Sequence, residues 1–567
     1  MVTFLVIVLL PLFFLPFTNI PIENSKGLLL VVGLVFSIIF WSLARIFDGK
    51  ISLPKSMCLL GGAGVVIAIF LSALFSTVSQ VSFFGTMFDI SSFWFIFSGF
   101  LLMLMSSIVF RDSKSAKIVL FGAILSSAII LIFQTAHLFI PGFLSLGVLV
   151  EKTDNVLGSW NAFGLFAGFS SLMSLLIVEF FSTTRIEKWI LEVLIILSMV
   201  LVAAVNFPLV WGLLGIFSLI IFVYKVSITF KEKQKQNQVE GTESAEERKT
   251  HFPIFSFAMI VVSLLFFMSG SFIGGILPNR LGLSNNEVGP SLGATTLVTK
   301  SVLKVNPVFG IGPNKFGEAW AMYKPPVINT TPFWNVSFNS GSGLLPTLVS
   351  TTGYLGILAL CIFFILFIVS GVKSIFSSIK NGVNWETMAF FVLSLYLFIS
   401  SFFYSTGSVI FLLALAFAGV FIGLSASNRQ NGEISISFLN DHRKSFFSIL
   451  FLVLLIIVSI ATSFKYTERL ASVSYFGEAL TAETVETAEV SINKALTLYV
   501  NDLYLRTYAQ VYLVKLNSLV KQGESLSEGD KADLQTSLDQ AVNGAQLSIT
   551  YNNKNYLNFQ KQGKRSL

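Results

Sequence analysis

Residues 253–276 read PIFSFAMIVVSLLFFMSGSFIGGI, and residues 346–370 read PTLVSTTGYLGILALCIFFILFIVS. Neither stretch contains an Asp, Glu, Lys or Arg, and each is close to the ~20 residues a helix needs to cross a bilayer. Eleven more runs of this kind fall at about 3–20, 27–47, 56–75, 92–110, 116–140, 161–182, 188–205, 207–228, 386–405, 408–425 and 445–464. The expectation is an all-α, polytopic membrane helix bundle of about thirteen spans. The tight pairs around Asn206–Pro208 and Ser405–Gly407 leave room for re-entrant hairpins.

Composition points the same way. Of 567 residues, 54% are hydrophobic and 12% charged, about half the charge of a soluble domain. The 59 phenylalanines suit a lipid-facing surface. Cys58 and Cys361 lie in apolar runs, so they give neither a disulfide framework nor, with so few partners, a metal site. They read as small lipid-buried side chains, and no cofactor is expected. The first run has no Lys or Arg before it and carries Pro11 and Pro16, which reads as a retained span and not a removed signal peptide.

The net charge is +7, and its placement matters more than its size. One alternating set of connections holds Arg45, Lys50, Lys55, Arg111, Lys114, Lys117, Arg185, Lys188, Lys225, Lys231, Lys233, Lys235, Arg248, Lys249, Lys373, Lys380, Arg429, Arg443 and Lys444. The other holds Lys26 and Lys152 outside one long loop. Short cytoplasmic loops collect Lys and Arg, so the basic excess reflects membrane topology and not a nucleic-acid partner. The N-terminus is expected in the cytoplasm of a prokaryote, the chain in its plasma (inner) membrane, and the C-terminus outside.

Residues 1–465 then form the transmembrane domain, with a solvated, mobile cytoplasmic linker at 229–252. Residues 466–567 form an extracytoplasmic helical tail. There Ala482, Val485, Ala488, Ile492 and Ala495 recur at helical steps, as do Leu505, Tyr508, Tyr512, Leu516 and Leu519, and then Leu534, Leu538, Val542 and Ala545. Successive helices with small residues at contacts suggest a tetratricopeptide-like solenoid, either a short cap or a truncated array, since about three repeats are usual.

The long loop, 277–345, carries Arg280, Glu287, Lys300, Lys304, Lys315, Glu318 and Lys324. A connection this long is functional or disordered, and Val308, Phe309, Phe316, Trp320, Phe333 and Trp334 give it the apolar anchors that disordered segments lack. Within it stands Asn306-Pro307-Val308-Phe309-Gly310-Ile311-Gly312-Pro313-Asn314-Lys315-Phe316. Glycines such as Gly310 and Gly312 let backbone amides approach an anion. Lys315 adds a charge, and Lys300 and Lys304 share a face if 296–305 is helical. With Arg280 they make a candidate phosphate clamp; ordinary solvated loop charges or lipid-headgroup anchors are the plainer reading.

This Pro-x-x-Gly-x-Gly-x-x-x-Phe segment, followed by Leu344–Leu345, Thr352–Gly353 and Leu355-Gly356-Ile357, resembles the O-antigen ligase / O-antigen polymerase superfamily of lipid-linked glycan transferases. Ser72–Ser76 followed by Phe83-Phe84-Gly85 is similar to that family's first outer loop. Gly158-Ser159-Trp160-Asn161-Ala162-Phe163 is similar to the start of its middle span, and several branches carry a tetratricopeptide tail. The resemblance covers roughly 56–425. It implies a metal-independent glycosyltransferase with a GT-C-like membrane fold, acting on a polyprenyl-diphosphate-linked glycan donor at the outer leaflet and on a lipid or protein acceptor hydroxyl. Basic residues there neutralise the departing diphosphate, and a base takes the acceptor proton. A polymerase of the same superfamily would use the same donor, and the tail could bind an envelope protein.

The chain departs from that pattern where many members place a His. Residues 338–343 read Phe-Asn-Ser-Gly-Ser-Gly, leaving Asn339 in the stretch, and neither Asn nor Ser is a general base near neutral pH. The 76–91 loop offers Asp89 but no Arg. The base candidates are Glu318, three residues after Lys315 and preferred, then Glu287, Asp89 and His137. Two other classes compete. A polysaccharide flippase or transporter would place ionisable groups mid-membrane, whereas Glu179, Glu192 and Lys225 sit near span ends. An inactive family member acting through its tail is the other.

Overall fold

A computed structural model of the chain describes all residues except 17–19, 86–87, 141, 143–147, 240–251, 284–286, 382–384, 439–440, 522–527 and 560–567. Of the expected linker at 229–252, the first part is helical and continues α9 to Val239, while 240–251 lie outside the described residues.

The chain opens with α1 (Val2–Leu9) and α2 (Ile22–Asp48), followed by β1 (Lys50–Pro54), α3 (Met57–Leu74), α4 (Ser79–Phe84), α5 (Phe93–Val109) and α6 (Ser113–Phe139). The middle is α7 (Trp160–Phe180), α8 (Arg185–Val205), α9 (Pro208–Val239), α10 (Ile254–Ser269), α11 (Ser271–Gly274) and α12 (Ile276–Leu281). The long loop contributes α13 (Leu292–Val305) and α14 (Phe316–Tyr323), and the bundle is completed by α15 (Leu344–Asn381), α16 (Trp385–Phe403), α17 (Ser408–Ser427), β2 (Glu433–Ser437) and α18 (His442–Thr481). The tail adds α19 (Val485–Leu498), α20 (Asp502–Lys521) and α21 (Glu528–Tyr551).

Among the described residues ten helices are long and apolar enough to span, so the protein is an all-α, multi-pass membrane protein. The three runs that differ from the expected thirteen each have a local reason. Pro11 cannot donate the next helical hydrogen bond, so α1 stops after eight residues, about 12 Å of rise. It lies antiparallel to α2, with Thr3 Oγ1 donating to Ser37 Oγ at 3.0 Å, and reaches only part-way along it. The α5 helix has 17 residues. The 253–276 run breaks at Gly270, where φ is 53° and the chain bends by 100° into α11 and α12.

Side-chain caps set many of the starts. Ser56, Ser92, Asp112, Ser159 and Ser291 each accept a backbone N–H of the first turn, and Thr184 forms a full capping box with Glu187. Such caps supply partners to amides that the helix itself leaves unpaired. Lys26 performs the converse service. Its buried ammonium donates to the carbonyls of Leu10, Pro11 and Phe13 at 2.9–3.1 Å, closing the end of α1.

The α17 helix is the centre of the bundle, with its span entirely buried, and α7 is next. Small residues bring α5 against it: a Cβ on Gly419 would lie 2.2 Å from the Met103 carbonyl oxygen. This is the close backbone approach typical of packing in membranes. The α18 span is 11% buried and runs along the outside against α2.

The connections sort to two ends. At one, β1 pairs antiparallel with β2, Arg111 meets Glu433 at 2.9 Å and Lys117 meets Glu386 at 3.3 Å. This basic end gathers described members of the first set, among them Arg45, Lys50, Lys55, Arg111, Lys117 and Arg429. The far end holds the starts of α2, α7 and α17 (Ser408 Oγ donates to Glu23), the α3–α5 connection, α11 to α14, and the tail.

The tail helices pack in sequence, α18 on α19, α19 on α20 and α20 on α21, around Phe476, Ile492, Ala495 and Tyr504. All three expected tail helices form. After α21 the chain makes a 3-10 turn at Tyr556–Asn558, where the buried Asn558 amide donates to the Ser548 and Asn552 carbonyls. No break separates span from tail, because α18 continues for 40 residues through position 465.

Candidate functional site at the far end of the bundle

The long loop folds on its own small core of Ala294, Val298, Val302, Phe316, Ala319 and Trp320. Trp320 meets Phe338 edge-on at 5.2 Å, and Phe309 stacks on Phe75 at 4.5 Å. Val308, Phe333 and Trp334, expected as anchors, remain exposed.

Segment 306–316 is laced to a kink in α15. At Gly353 φ is +65° and the helix is interrupted. The Ile311 and Gly312 amides donate to the Ser350 and Thr351 carbonyls at 3.2 and 2.9 Å, while Tyr354 and Leu355 amides donate back to Pro307 and Val308 at 2.8 and 3.1 Å. Ser72 Oγ donates to Phe309 O at 2.6 Å and to Thr351 O at 3.1 Å. Three stretches singled out in the sequence, 72–76, 306–316 and 352–356, thus meet at one place.

The same contacts give the glycines a different role from the expected anion cradle. The Gly310 amide donates to Asn306 O at 3.1 Å and that of Gly312 to Thr351 O, so both amides are already engaged. A Cβ on Gly310 would fall 2.5 Å from Ser350 O, and one on Gly353 2.5 Å from Val308 O. These glycines permit two backbones to touch.

Lys315 precedes α14 and is turned inward, with its side chain fully buried. Its Nζ donates to Thr77 Oγ1 at 2.8 Å and lies 3.9 Å from Glu318 Oε2. Burial pulls the Lys315 ammonium down to about 8, with Glu318 opposing the shift. Glu318 Oε1 accepts from Asn552 Nδ2 of the tail at 2.8 Å, and Oε2 accepts no hydrogen bond among the described residues. Asn339 is exposed but lies over the start of α14, where a Cβ on Gly317 would come within 3.0 Å of its Oδ1. Lys315, Glu318 and Asn339 are therefore neighbours.

The other cations of the expected clamp do not join them. Lys300 and Lys304 share one face of α13, as their spacing requires, but that face is exposed while Ala294, Val298 and Val302 fill the other. Arg280, at the end of α12, is exposed as well.

Of the remaining base candidates, Asp89 accepts from Asn314 Nδ2 at 2.9 Å, where Asn314 takes a φ of 60°. Glu287 accepts from the Asn161 amide and side chain at 3.1 and 2.9 Å and from the Tyr404 hydroxyl. Burial, reinforced by Glu287, holds the Tyr404 phenol well above its usual range. His137 is buried, its Nε2 2.8 Å from Glu151 O, and with Gln134 it holds the 151–154 loop. That is an anchoring role.

Sequence reasoning missed Thr77, Asn552, Arg469 and Tyr499. Arg469 Nη2 donates to Gly85 O at 2.6 Å and its guanidinium lies 4.5 Å from the Tyr499 ring centre, so the tail grips the chain at Gly85. An Arg on the helix continuing past a span was the one signal available. Neither the known protein-family models nor the curated proteins give a match to this chain.

Proposed function

We propose that the chain is a membrane glycosyltransferase that moves an oligo- or polysaccharide from a polyprenyl-diphosphate carrier to an acceptor hydroxyl. The observation that carries this reading is the Lys315–Glu318 pair, set between Thr77 and Asn552. It lies where the stretches resembling the O-antigen ligase / polymerase superfamily converge. In this reading the acceptor oxygen attacks the anomeric carbon and the bond to the diphosphate oxygen breaks, the leaving group taking the electron pair. Lys315 stabilises that charge, as preorganised cations do, and Glu318 takes the acceptor proton. Arg280, Lys300 and Lys304 supply a surface field that draws the anionic donor, and Asn339 orients the acceptor. The exchange requires the Asn552 contact to open, which makes the tail part of the site.

The far end is then the outer face of a prokaryotic plasma membrane, because the basic end carries the Lys and Arg that short cytoplasmic loops collect. Transport is less well supported: the buried Lys26 and Glu386 lie in the first two turns of α2 and α16. The test is release of polyprenyl diphosphate by the purified protein given lipid-linked oligosaccharide. Release that falls at least about hundredfold in Lys315→Ala and Glu318→Ala supports the reading. No release, or variants equal to wild type, removes it.

A further inference from the structure

The basic end contains a cavity of about 1400 Å³ that the reaction above does not use. Its walls come from α3, α5 and α15, with Leu60, Phe100 and Leu366 among the apolar lining, and its mouth is closed on one side by the turn leading into β2. Three cations line it, Lys55, Lys373 and Arg429, and no carboxylate does so among the described residues. Glu433, beside the lining Ile434, is taken up by Arg111 at 2.9 Å. Arg429 Nη2 points at Ser370 Oγ at 3.4 Å, which leaves the guanidinium near the cavity's hydroxyl-bearing side. Met57, the first residue of α3, both lines the cavity and is 68% exposed.

A soluble anion would be served by the cations alone. Here the positive rim continues into an apolar wall on two spanning helices, which fits a molecule charged at one end and hydrocarbon at the other. We propose that this cavity is a binding site for an anionic lipid, its phosphate held among Lys55, Lys373 and Arg429 and its chain laid along α3 and α15. The site lies at the opposite end of the bundle from Lys315, so it is separate from the proposed reaction.

The experiment is native mass spectrometry of the full-length protein in detergent, titrated with phosphatidylglycerol, with phosphatidylcholine of the same chains, and with inorganic phosphate. Phosphatidylglycerol should be retained preferentially. Lys373→Gln/Arg429→Gln should weaken its retention about thirtyfold, at about fivefold for each basic residue facing an anionic headgroup. Lys494→Gln/Lys521→Gln, in the tail, should retain it as wild type does. All four side chains are exposed, so folding should survive, and an unchanged unfolding midpoint checks this. Equal retention of phosphatidylcholine, binding of inorganic phosphate in place of lipid, or equal losses in the two double variants would each overturn the proposal.

Discussion

Glu318→Gln should destabilise the protein, whereas Lys315→Met should stabilise it and the two together should not fall below wild type. The Lys315 side chain is fully buried and that of Glu318 is 10% exposed, with 3.9 Å between charged atoms. At an effective permittivity near 20 that separation gives ~4 kcal/mol of attraction before desolvation is counted. Burial still outweighs it, since Lys315 titrates at about 8 and not at the ordinary 10.5. At ~1.4 kcal/mol per unit the difference is a net cost of about 3 kcal/mol at neutral pH. Glu318→Gln removes the attraction and leaves the buried ammonium, for a loss of about 3 kcal/mol. Lys315→Met removes that net cost just as deprotonation does, and should raise stability at neutral pH by up to about 3 kcal/mol. The double variant replaces both charges with neutral side chains of similar volume and should be no less stable than wild type.

Proton linkage gives an independent arm. Between about pH 8 and 10.5 the unfolded chain keeps the Lys315 proton and the folded chain has released it. Stability therefore rises with pH across that window, by up to about 3 kcal/mol. In Glu318→Gln the rise should begin at lower pH, and in Lys315→Met this component should vanish. Unfolding of the detergent-solubilised protein, followed by tryptophan fluorescence, reads both arms. A loss in Lys315→Met at neutral pH, or a wild-type pH profile identical to that of Lys315→Met, would refute the reasoning.

Three further outcomes are expected. Gly353→Ala places a side chain at φ +65° and 2.5 Å from a carbonyl oxygen, so it should lower stability by about 2–4 kcal/mol; an unchanged unfolding midpoint contradicts the lacing of 306–316 to α15. Arg469→Ala removes both the Gly85 hydrogen bond and the Tyr499 contact, and limited proteolysis should cut the chain next to Gly85 faster than in wild type, with an equal rate showing that the tail does not hold it there. Cysteine at Lys300, on the exposed face of α13, should react with an impermeant thiol reagent in intact cells carrying no other reactive thiol. Labelling only after lysis reverses the proposed orientation.

The spanning runs were legible because twenty uncharged residues have few alternatives in any fold. Where the reading failed, a single backbone residue decided the matter: Pro11 ended α1, and Gly270 turned the chain through 100° inside a run that composition alone reads as continuous. The loop cations show a different limit. Lys300, Lys304 and Lys315 are equivalent as letters, and only the seating of residues 312–315 against Ser76, Thr77 and Asp89 buries the third and leaves the others in solvent. Gly310 and Gly312 were correctly marked as places of close approach, but sequence could not say that the approaching partner is Ser350–Thr351 and not a ligand. Glu287 has its partners far away in sequence, and nothing local to it announces Asn161 or Tyr404. Asn552, 234 positions from Glu318, was out of reach for the same reason.

The unbroken α18 has a mechanical consequence. Forty residues make a rod about 60 Å long, twice the hydrocarbon thickness of a bilayer, and a helix scarcely stretches along its axis. Wherever lipid fixes the height of its apolar half, the rod carries that height to Arg469 and so to the loop it grips at Gly85. Bilayer thickness thereby becomes a mechanical input to the far end, acting like a plunger seated in the lipid.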